Sequence, residues 1–516
     1  MLATLIRTAQ ASSEALQTPK VPWGYLAPQL VLVVAVVVGL VAIALVPRRL
    51  SAITGFVVTV VASVGSLIAV VPLWHRVGNA KEGPISAVAG AVGVDRFSLF
   101  ITAVVAIGVL VSALLSLGYY RREGIESGEV FLLMLMAASG AGVVASANDL
   151  IVLFVGVEIL SIATYVLAAS HRRRQSSLEA GFKYFILGGL ASAFLIYGIA
   201  MMYGATGTTS LQGMQEYFNQ QVLTKNHLVL VGLVLMLVGF GFKVAASPFH
   251  MWAPDVYQGA PSPVTAFMAS VVKAAAFGGL VRVFVLGFAS YTSLWRPVVA
   301  VLAVASLLVG SIAAVVQTNV KRMLAYSSIA HAGFILLGVE AANEAGTAAV
   351  VFYLLAYAAM VLGSFGVVAI VGRVGDGKHS LDDYRGLSKS RPGLALVFAL
   401  FLLAQSGAPF TAGFVAKLGV VNAVIEDRHW PVMSIVLASI AMLSAAISAF
   451  LYLRIIVAMY FSEPEGEDLP IVRIPAAAAV GLTIAAVLTL GLGVWPGPAT
   501  DLSRDAVPVL VEAGNR

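Results

Sequence analysis

Five ionisable residues stand inside long apolar stretches of this 516-residue chain: Glu158, Lys243, Lys273, His331 and Lys417. Glu158 lies nine residues past Asp149, Lys273 ten past Pro263, His331 nine past Arg322 and Lys417 nine before Glu426. At about 1.5 Å per helical residue, each of these four falls roughly half-way across a hydrocarbon layer of about 30 Å. A charge at that depth costs about 2.5–3.5 kcal/mol on insertion scales, which chance does not supply repeatedly. Low dielectric disfavours a charged lysine, and a nearby carboxylate favours it again. A lysine poised between the two loads and releases a proton when its partner moves. A row of Lys and His at one depth, with Ser, Thr, Tyr and water between, relays protons laterally.

Each residue has a blander alternative. Glu158 and Lys243 could be a fixed structural pair, and His331 a hydrogen-bonded core histidine. His250 reads as a cap or loop residue. Lys183, Arg282, Lys321 and Arg322 stand near helix ends and read as anchors reaching the interface, with Lys183 the first exception to test.

The elements that must hold these groups are apolar helices. The chain is 60% hydrophobic and 11% charged, too apolar for a soluble domain of this length. About 14 segments approach the roughly 20 residues a span needs: 25–46, 51–74, 97–117, 130–147, 150–170, 180–203, 228–252, 264–288, 298–316, 323–339, 347–371, 393–425, 432–460 and 475–494. The seventh carries Lys243 and then Pro248, and the twelfth is interrupted at Ser406-Gly407-Ala408-Pro409. Proline removes a helix hydrogen bond, and backbone groups freed in lipid need protein or water partners. Residues 211–220 read as a short amphipathic helix lying flat, and the first 22 residues as a retained segment without a cleavage pattern.

With no cysteine, the chain cannot ligate an iron–sulfur cluster or form disulfides. The net charge of +6 sits in loops and reports topology, not nucleic-acid binding. Arg48/Arg49, Arg121/Arg122, Arg172–Arg174, Lys321/Arg322 and the 373–391 cluster all follow odd-numbered spans. Both termini are therefore expected outside and the basic loops in the cytoplasm.

Two spans broken by a small-Pro-Phe unit, Ser247-Pro248-Phe249 and Ala408-Pro409-Phe410, lie five spans apart, each with a lysine nearby. An odd separation gives successive five-span units opposite orientation, a pattern that points to a transport site. The expected division is 1–127 (spans 1–3), 128–290 (first repeat, spans 4–8), 291–462 (second, inverted repeat, spans 9–13) and 463–516 (span 14 and tail).

Two motifs then become specific: residues 249–261, FHMWAPDVYQGAP, and 321–333, KRMLAYSSIAHAG. They resemble the N-type members of the antiporter-like membrane-subunit family of bacterial respiratory complex I, the proton-pumping NADH:quinone oxidoreductase. That family also includes the L and M subunits and the multi-subunit Mrp cation/proton antiporters. The resemblance implies an all-α fold of 14 helices with two inverted five-helix repeats and discontinuous helices 7 and 12. It implies that Glu158 pairs with Lys243, that Lys273 is the central relay, His331 a linker and Lys417 the residue toward the outward exit. It places NADH, flavin, iron–sulfur clusters and quinone in other subunits, M- and K-type subunits as neighbours, and the chain in a bacterial cell membrane. The alternatives are a sodium/proton Mrp-type subunit and a purely structural membrane subunit whose charges only pair.

Overall fold

The computed structural model describes residues 21–79, 81–125, 127–220, 226–427, 430–463 and 474–511. The reading of the N-terminal segment, and most of the acidic loop after the thirteenth span, fall outside them. Among the described residues, thirteen helices are long and apolar enough to cross a membrane. In chain order these are α1 (Trp23–Leu45), α2 (Arg48–Val77), α3 (Arg96–Arg122), α4 (Glu129–Ser146), α5 (Leu150–Ala168), α6 (Gln175–Thr206), α7a (His227–Val244), α8 (Ser262–Gly287), α9 (Ala289–Val315), α10 (Val320–Glu340), α11 (Glu344–Val371), α13 (Pro431–Phe461) and α14 (Ala476–Val494). A short helix, α7b (Trp252–Gly259), follows α7a. Two shorter apolar helices, α12a (Pro392–Ser406) and α12b (Ala412–Ile425), stand between α11 and α13.

Helices α3, α8, α10 and α11 are buried almost throughout, while α1, α2, α6, α13 and α14 turn apolar side chains such as Val37, Val61, Phe185, Ile435 and Val487 outward. Apolar residues all round the inner helices and an apolar outer layer are what a lipid-solvated bundle requires. The chain is thus a polytopic helical membrane protein, with one small exception. The loop after α2 forms an antiparallel hairpin, β1 (Ile85–Ala87) and β2 (Val92–Val94).

Two loop pairings fix where helices start. Asp149 bridges Ser210, with Leu150 N–H donating to Thr209 O at 2.9 Å and Leu211 N–H to Asn148 O at 3.0 Å. Asn319 bridges Ser380, with Val320 N–H donating to His379 O at 2.7 Å and Leu381 N–H to Thr318 O at 2.8 Å. In both, the bridging residue also caps the helix that follows. Asp149 accepts from Ile151 N–H at 2.7 Å, and Asn319 from Arg322 N–H at 3.2 Å. These caps satisfy N–H groups that a helix start leaves without partners.

The expected amphipathic helix is present as Leu211–Gln220, with Leu211, Met214 and Phe218 buried. The polar tail holds a further short helix, Gly497–Asp505. It is tied down by Arg96 to Asp505 at 2.7 Å, and beyond it by Asn148 Nδ2 donating to Val511 O at 3.3 Å.

Candidate functional site

Both helix breaks leave carbonyls that something must satisfy. At the first, Ala245 takes a left-handed conformation (φ 57°) and its N–H and that of Ala246 turn back to Phe242 O and Gly241 O. Trp252 Nε1–H adds a donor to Phe242 O at 3.0 Å. At the second, Gly407 has φ 93° and its N–H donates to Leu403 O and Ala404 O. The next two carbonyls, of Gln405 and Ser406, both accept from Lys417 Nζ at 2.9 Å. Lys417 reaches back across the break from α12b and sits on the negative end of α12a. Lys243 occupies the last turn of its own half-helix, α7a. A cation at a helix C-terminus is favoured by the peptide dipoles. A Cβ on Gly407 would lie 3.2 Å from Lys417 Cδ, so glycine there serves both the backbone angle and the lysine's room.

Around Lys243 the polar groups are few. Its Nζ donates to Ser161 Oγ at 2.6 Å and Tyr165 Oη at 3.2 Å, both on α5. Glu158, one turn before Ser161, accepts instead from Ser192 Oγ of α6. Among the described residues no ion pair joins Glu158 to Lys243, so the expected direct pair is replaced by a hydroxyl one helical turn away. The reason is position: α5 presents Ser161 and Tyr165, not Glu158, to the lysine, and Glu158 lies partly exposed toward α6. Beyond Lys243 the packing is aromatic. Trp252 stacks on Tyr184 and Phe242, with ring centroids 4.5 and 5.2 Å away, and Tyr165 meets Tyr184 edge-on at 4.7 Å.

Around Lys273 and Lys417 the polar groups form a series. Lys273 follows a π-helical turn of α8, residues Met268–Val272, a local irregularity common at functional positions. Its Nζ donates to both Ser328 O and Ser328 Oγ at 2.6 Å and lies 5.3 Å from the Tyr357 ring. The neighbouring Ser327 hydroxyl bonds Tyr452 Oη and donates to Gln405 Oε1 at 3.4 Å. Tyr452 Oη is 3.2 Å from His331 Nε2, and Tyr353 Oη is 2.7 Å from His331 Nδ1. Gln405 Nε2 donates to Ser364 Oγ at 2.6 Å, while its carbonyl holds Lys417. Lys273, His331 and Lys417 are all buried and are brought into one cluster by α8, α10, α11, α12 and α13. Ser327, Ser328, Tyr353, Gln405 and Tyr452 are the members that sequence reasoning missed. A hydroxyl or amide in an apolar helix carries no charge signal, although the run Tyr326-Ser327-Ser328 inside the 321–333 motif was visible.

Two residues read as interfacial anchors are not. Arg282 is wholly buried, bound to Asp95 at 2.6 Å and to Ala145 O at 2.8 Å. Lys321 is equally buried, donating to Ala260 O at 2.6 Å and lying 3.4 Å from Asp376. Distance from a helix end says how deep a residue sits, not whether the surrounding helices leave it a way out. Lys183 and Arg322 do remain partly exposed, sharing Asp255 at 3.1 and 2.6 Å. His250 caps no helix but sits in the turn between α7a and α7b, the loop position expected of it.

Asp376, in the loop after α11, is a hub no motif announced. It receives Ser262 N–H at 3.1 Å, Ser262 Oγ–H at 2.8 Å, His379 Nε2 at 2.8 Å and Arg174 at 3.0 Å. Burial by itself would raise its carboxyl, but Lys321, His379 and Arg174 hold it well below the usual carboxylate range. It fastens the starts of α8 and α10 together, and so sets the register in which Lys273 meets Ser328.

Buried lysines held by hydroxyls and backbone carbonyls, with helices broken beside two of them, define a membrane subunit of the ion-translocating kind. Residues 147–448 match the family model described as NADH:quinone oxidoreductase/Mrp antiporter, TM, and the chain belongs to that family. It is 41% identical to an NADH-quinone oxidoreductase subunit N of Roseiflexus castenholzii over 90% of this chain and 92% of the relative. It is 38% identical to one of Streptomyces griseus over 97% and 96%. A chain of respiratory complex I from Thermus thermophilus with bound aureothin is 33% identical and superposes with a TM-score of 0.76 over 92% of this chain and 99% of that one.

Proposed function

We propose that this chain is an N-type membrane-arm subunit of a bacterial NADH:quinone oxidoreductase that moves protons outward, driven by quinone reduction in other subunits. The observation that carries the reading is the cluster of buried polar groups between Lys273 and Lys417: Lys273 on Ser328, the next residue Ser327 on Tyr452 and Gln405 Oε1, and Lys417 on the Gln405 backbone carbonyl. Hydroxyls both donate and accept, and water or a side-chain reorientation completes the path where these bonds stop, between Ser328 and Ser327 and at the Gln405 carbonyl. In this reading Glu158, on the same helix as the Ser161 that holds Lys243, senses the state of the neighbouring subunit and biases Lys243 through its charge. Lys273 loads a proton from the cytoplasmic side, His331 links the two halves of the cluster, and Lys417 releases the proton outward.

The repeat reading draws support from the two loop pairings. The second set stands 170 residues after the first, position for position: 149 and 319, 210 and 380, with the same pair of backbone bonds. We assign the first repeat to 128–290 and the second, inverted one to 291–462, with helices 7 and 12 each a broken pair. Basic loops at one end set both termini outward, and K- and M-type subunits are the neighbours.

Replacing Lys273 by alanine tests the reading. In assembled complex, NADH oxidation with proton uptake into inverted vesicles should lose the share of pumping this subunit carries. Wild-type protons per electron would overturn it. Because the matched family includes Mrp antiporters, sodium-dependent proton movement without NADH is the second arm, and its presence would favour that alternative.

A further inference from the structure

A cavity of about 1410 Å³ opens at the end of the bundle that carries the basic loops. It lies where the end of α1 and the starts of α2 and α4 face the end of α5 and the first turns of α6. It exceeds the roughly 300–1,000 Å³ of a site for a drug-sized molecule. Its two parts differ in chemistry. The mouth carries Arg48, Arg172 and Arg173, all exposed. Among the described residues none of these three enters an ion pair, whereas Arg174, next in the run, turns inward to Asp376 at 3.0 Å. The acidic residue in the lining, Glu129, accepts from Ser127 Oγ at 2.6 Å. The mouth therefore sets three guanidinium groups against one carboxylate.

Deeper in, the lining is apolar: Leu133 on α4, Val166 on α5, Leu178 and Phe185 on α6. From Leu178 to Phe185 it follows α6 for about 10 Å at 1.5 Å per residue. Val166, Leu178 and Phe185 are themselves exposed, and Ile162 and Ile186 continue that apolar face along α5 and α6. A hydrocarbon chain can thus enter sideways from the bilayer. Tyr165 closes the inner end, and its hydroxyl accepts from Lys243 Nζ at 3.2 Å.

We propose that this cavity binds an anionic diacyl phospholipid from the leaflet on the basic-loop side. The phosphate sits among Arg48, Arg172 and Arg173, whose planar donor forks match pairs of phosphate oxygens. The acyl chains lie along Val166, Leu178 and Phe185 and end against Tyr165, one ring from Lys243. Both parts of the cavity choose this ligand. A soluble anion leaves the apolar wall in water, and a neutral lipid or a quinone leaves the arginines without a counter-charge. Basic pockets between spans at a membrane surface collect such headgroups. The assignment depends neither on the relay reading nor on which side the basic loops face.

Photolabelling tests it. Assembled complex is placed in phosphatidylcholine nanodiscs with a trace of phosphatidylglycerol or phosphatidylcholine carrying a diazirine in one acyl chain, and labelled peptides are counted. Phosphatidylglycerol should label the Val166 and Phe185 peptides at least about fivefold more than phosphatidylcholine does, the ratio that about one arginine's attraction gives. At Ile435, on the apolar outer face, the two lipids should label alike. Arg172→Gln with Arg173→Gln should remove the preference. Val166→Trp fills the apolar part with every arginine in place and should remove the preference at Phe185. Equal labelling by the two lipids in the unmodified complex, or a preference that survives both variants, would overturn the site. So would loss of the preference to millimolar glycerol phosphate, which marks a soluble-anion site. Absence of label at both positions would show another subunit covering the cavity, and the lipid assignment would fall.

Discussion

The two broken helices meet the same demand in different surroundings. At the α7 break an alanine takes the left-handed turn, an indole satisfies a carbonyl, and the lysine beside it has two hydroxyl acceptors within an aromatic wall. At the α12 break a glycine takes the turn, a lysine satisfies two carbonyls, and a cluster of polar side chains lies between it and Lys273. The first arrangement is a discrete charge that packing can bias. The second is a cluster of polar groups whose own backbone is part of the site. Two similar breaks therefore do not imply two equal roles, and substitutions should affect the two regions unequally.

The largest difference is expected from cutting hydrogen bonds. Gln405→Leu combined with Tyr452→Phe removes two crossing points near Lys417, and protons per electron in proteoliposomes should fall at least tenfold in this subunit's share. Tyr165→Phe leaves Lys243 its Ser161 acceptor and should lower the same ratio less than about twofold. Equal losses would dissolve the contrast.

Asp376 joins the regions, since it holds Arg174 from the connection between α5 and α6 as well as Lys321 at the base of α10. Asp376→Asn leaves buried cations uncompensated, which costs about 3–5 kcal/mol. Because the folded carboxyl sits below its ordinary value, its stabilisation is present above the unfolded value of about 4 and is lost as pH falls through the folded one. Thermal unfolding of the solubilised complex should show the variant much weaker at pH 7 and the gap narrowing below about pH 4. A gap that widened on acidification would contradict the assignment.

Gly407→Ala sharpens the comparison at the turns. It forces a left-handed alanine against the Lys417 stem, and should cost about 1–3 kcal/mol. Ala245→Gly relaxes an alanine already in that region and should stay within about 1 kcal/mol. Limited proteolysis and thermal unfolding of the two variants distinguish them. Trp252→Phe removes one donor from Phe242 O and should cost about 0.5–1.5 kcal/mol, with pumping little altered.

Much of this architecture was legible in the residues. Apolar runs gave most span positions within about five residues, though the ninth helix starts nine residues earlier and the seventh ends eight earlier than expected. The small-Pro-Phe units marked both breaks, and the amphipathic period of 211–220 was recovered as a helix. The buried lysines announced themselves because a charge in an apolar run is costly wherever it ends up. Their partners did not. Ser161, Ser327, Gln405 and Tyr452 come from four different helices, and which polar group faces which lysine depends on helix rotation and register. Arg282 and Lys321 misled for the complementary reason, since their depth permitted an interfacial role and the surrounding helices denied it.

The sequence alone thus determined that the chain lives in a membrane, where its helices break, and which charges pay an insertion cost, because those properties are local to a segment and its solvent. Only the tertiary structure decided that Lys243 meets Ser161 rather than Glu158, that Lys417 closes its own helix break, and that Asp376 fastens α8 to α10. Those outcomes depend on how rigid helices pack, and packing is settled by all of their faces at once.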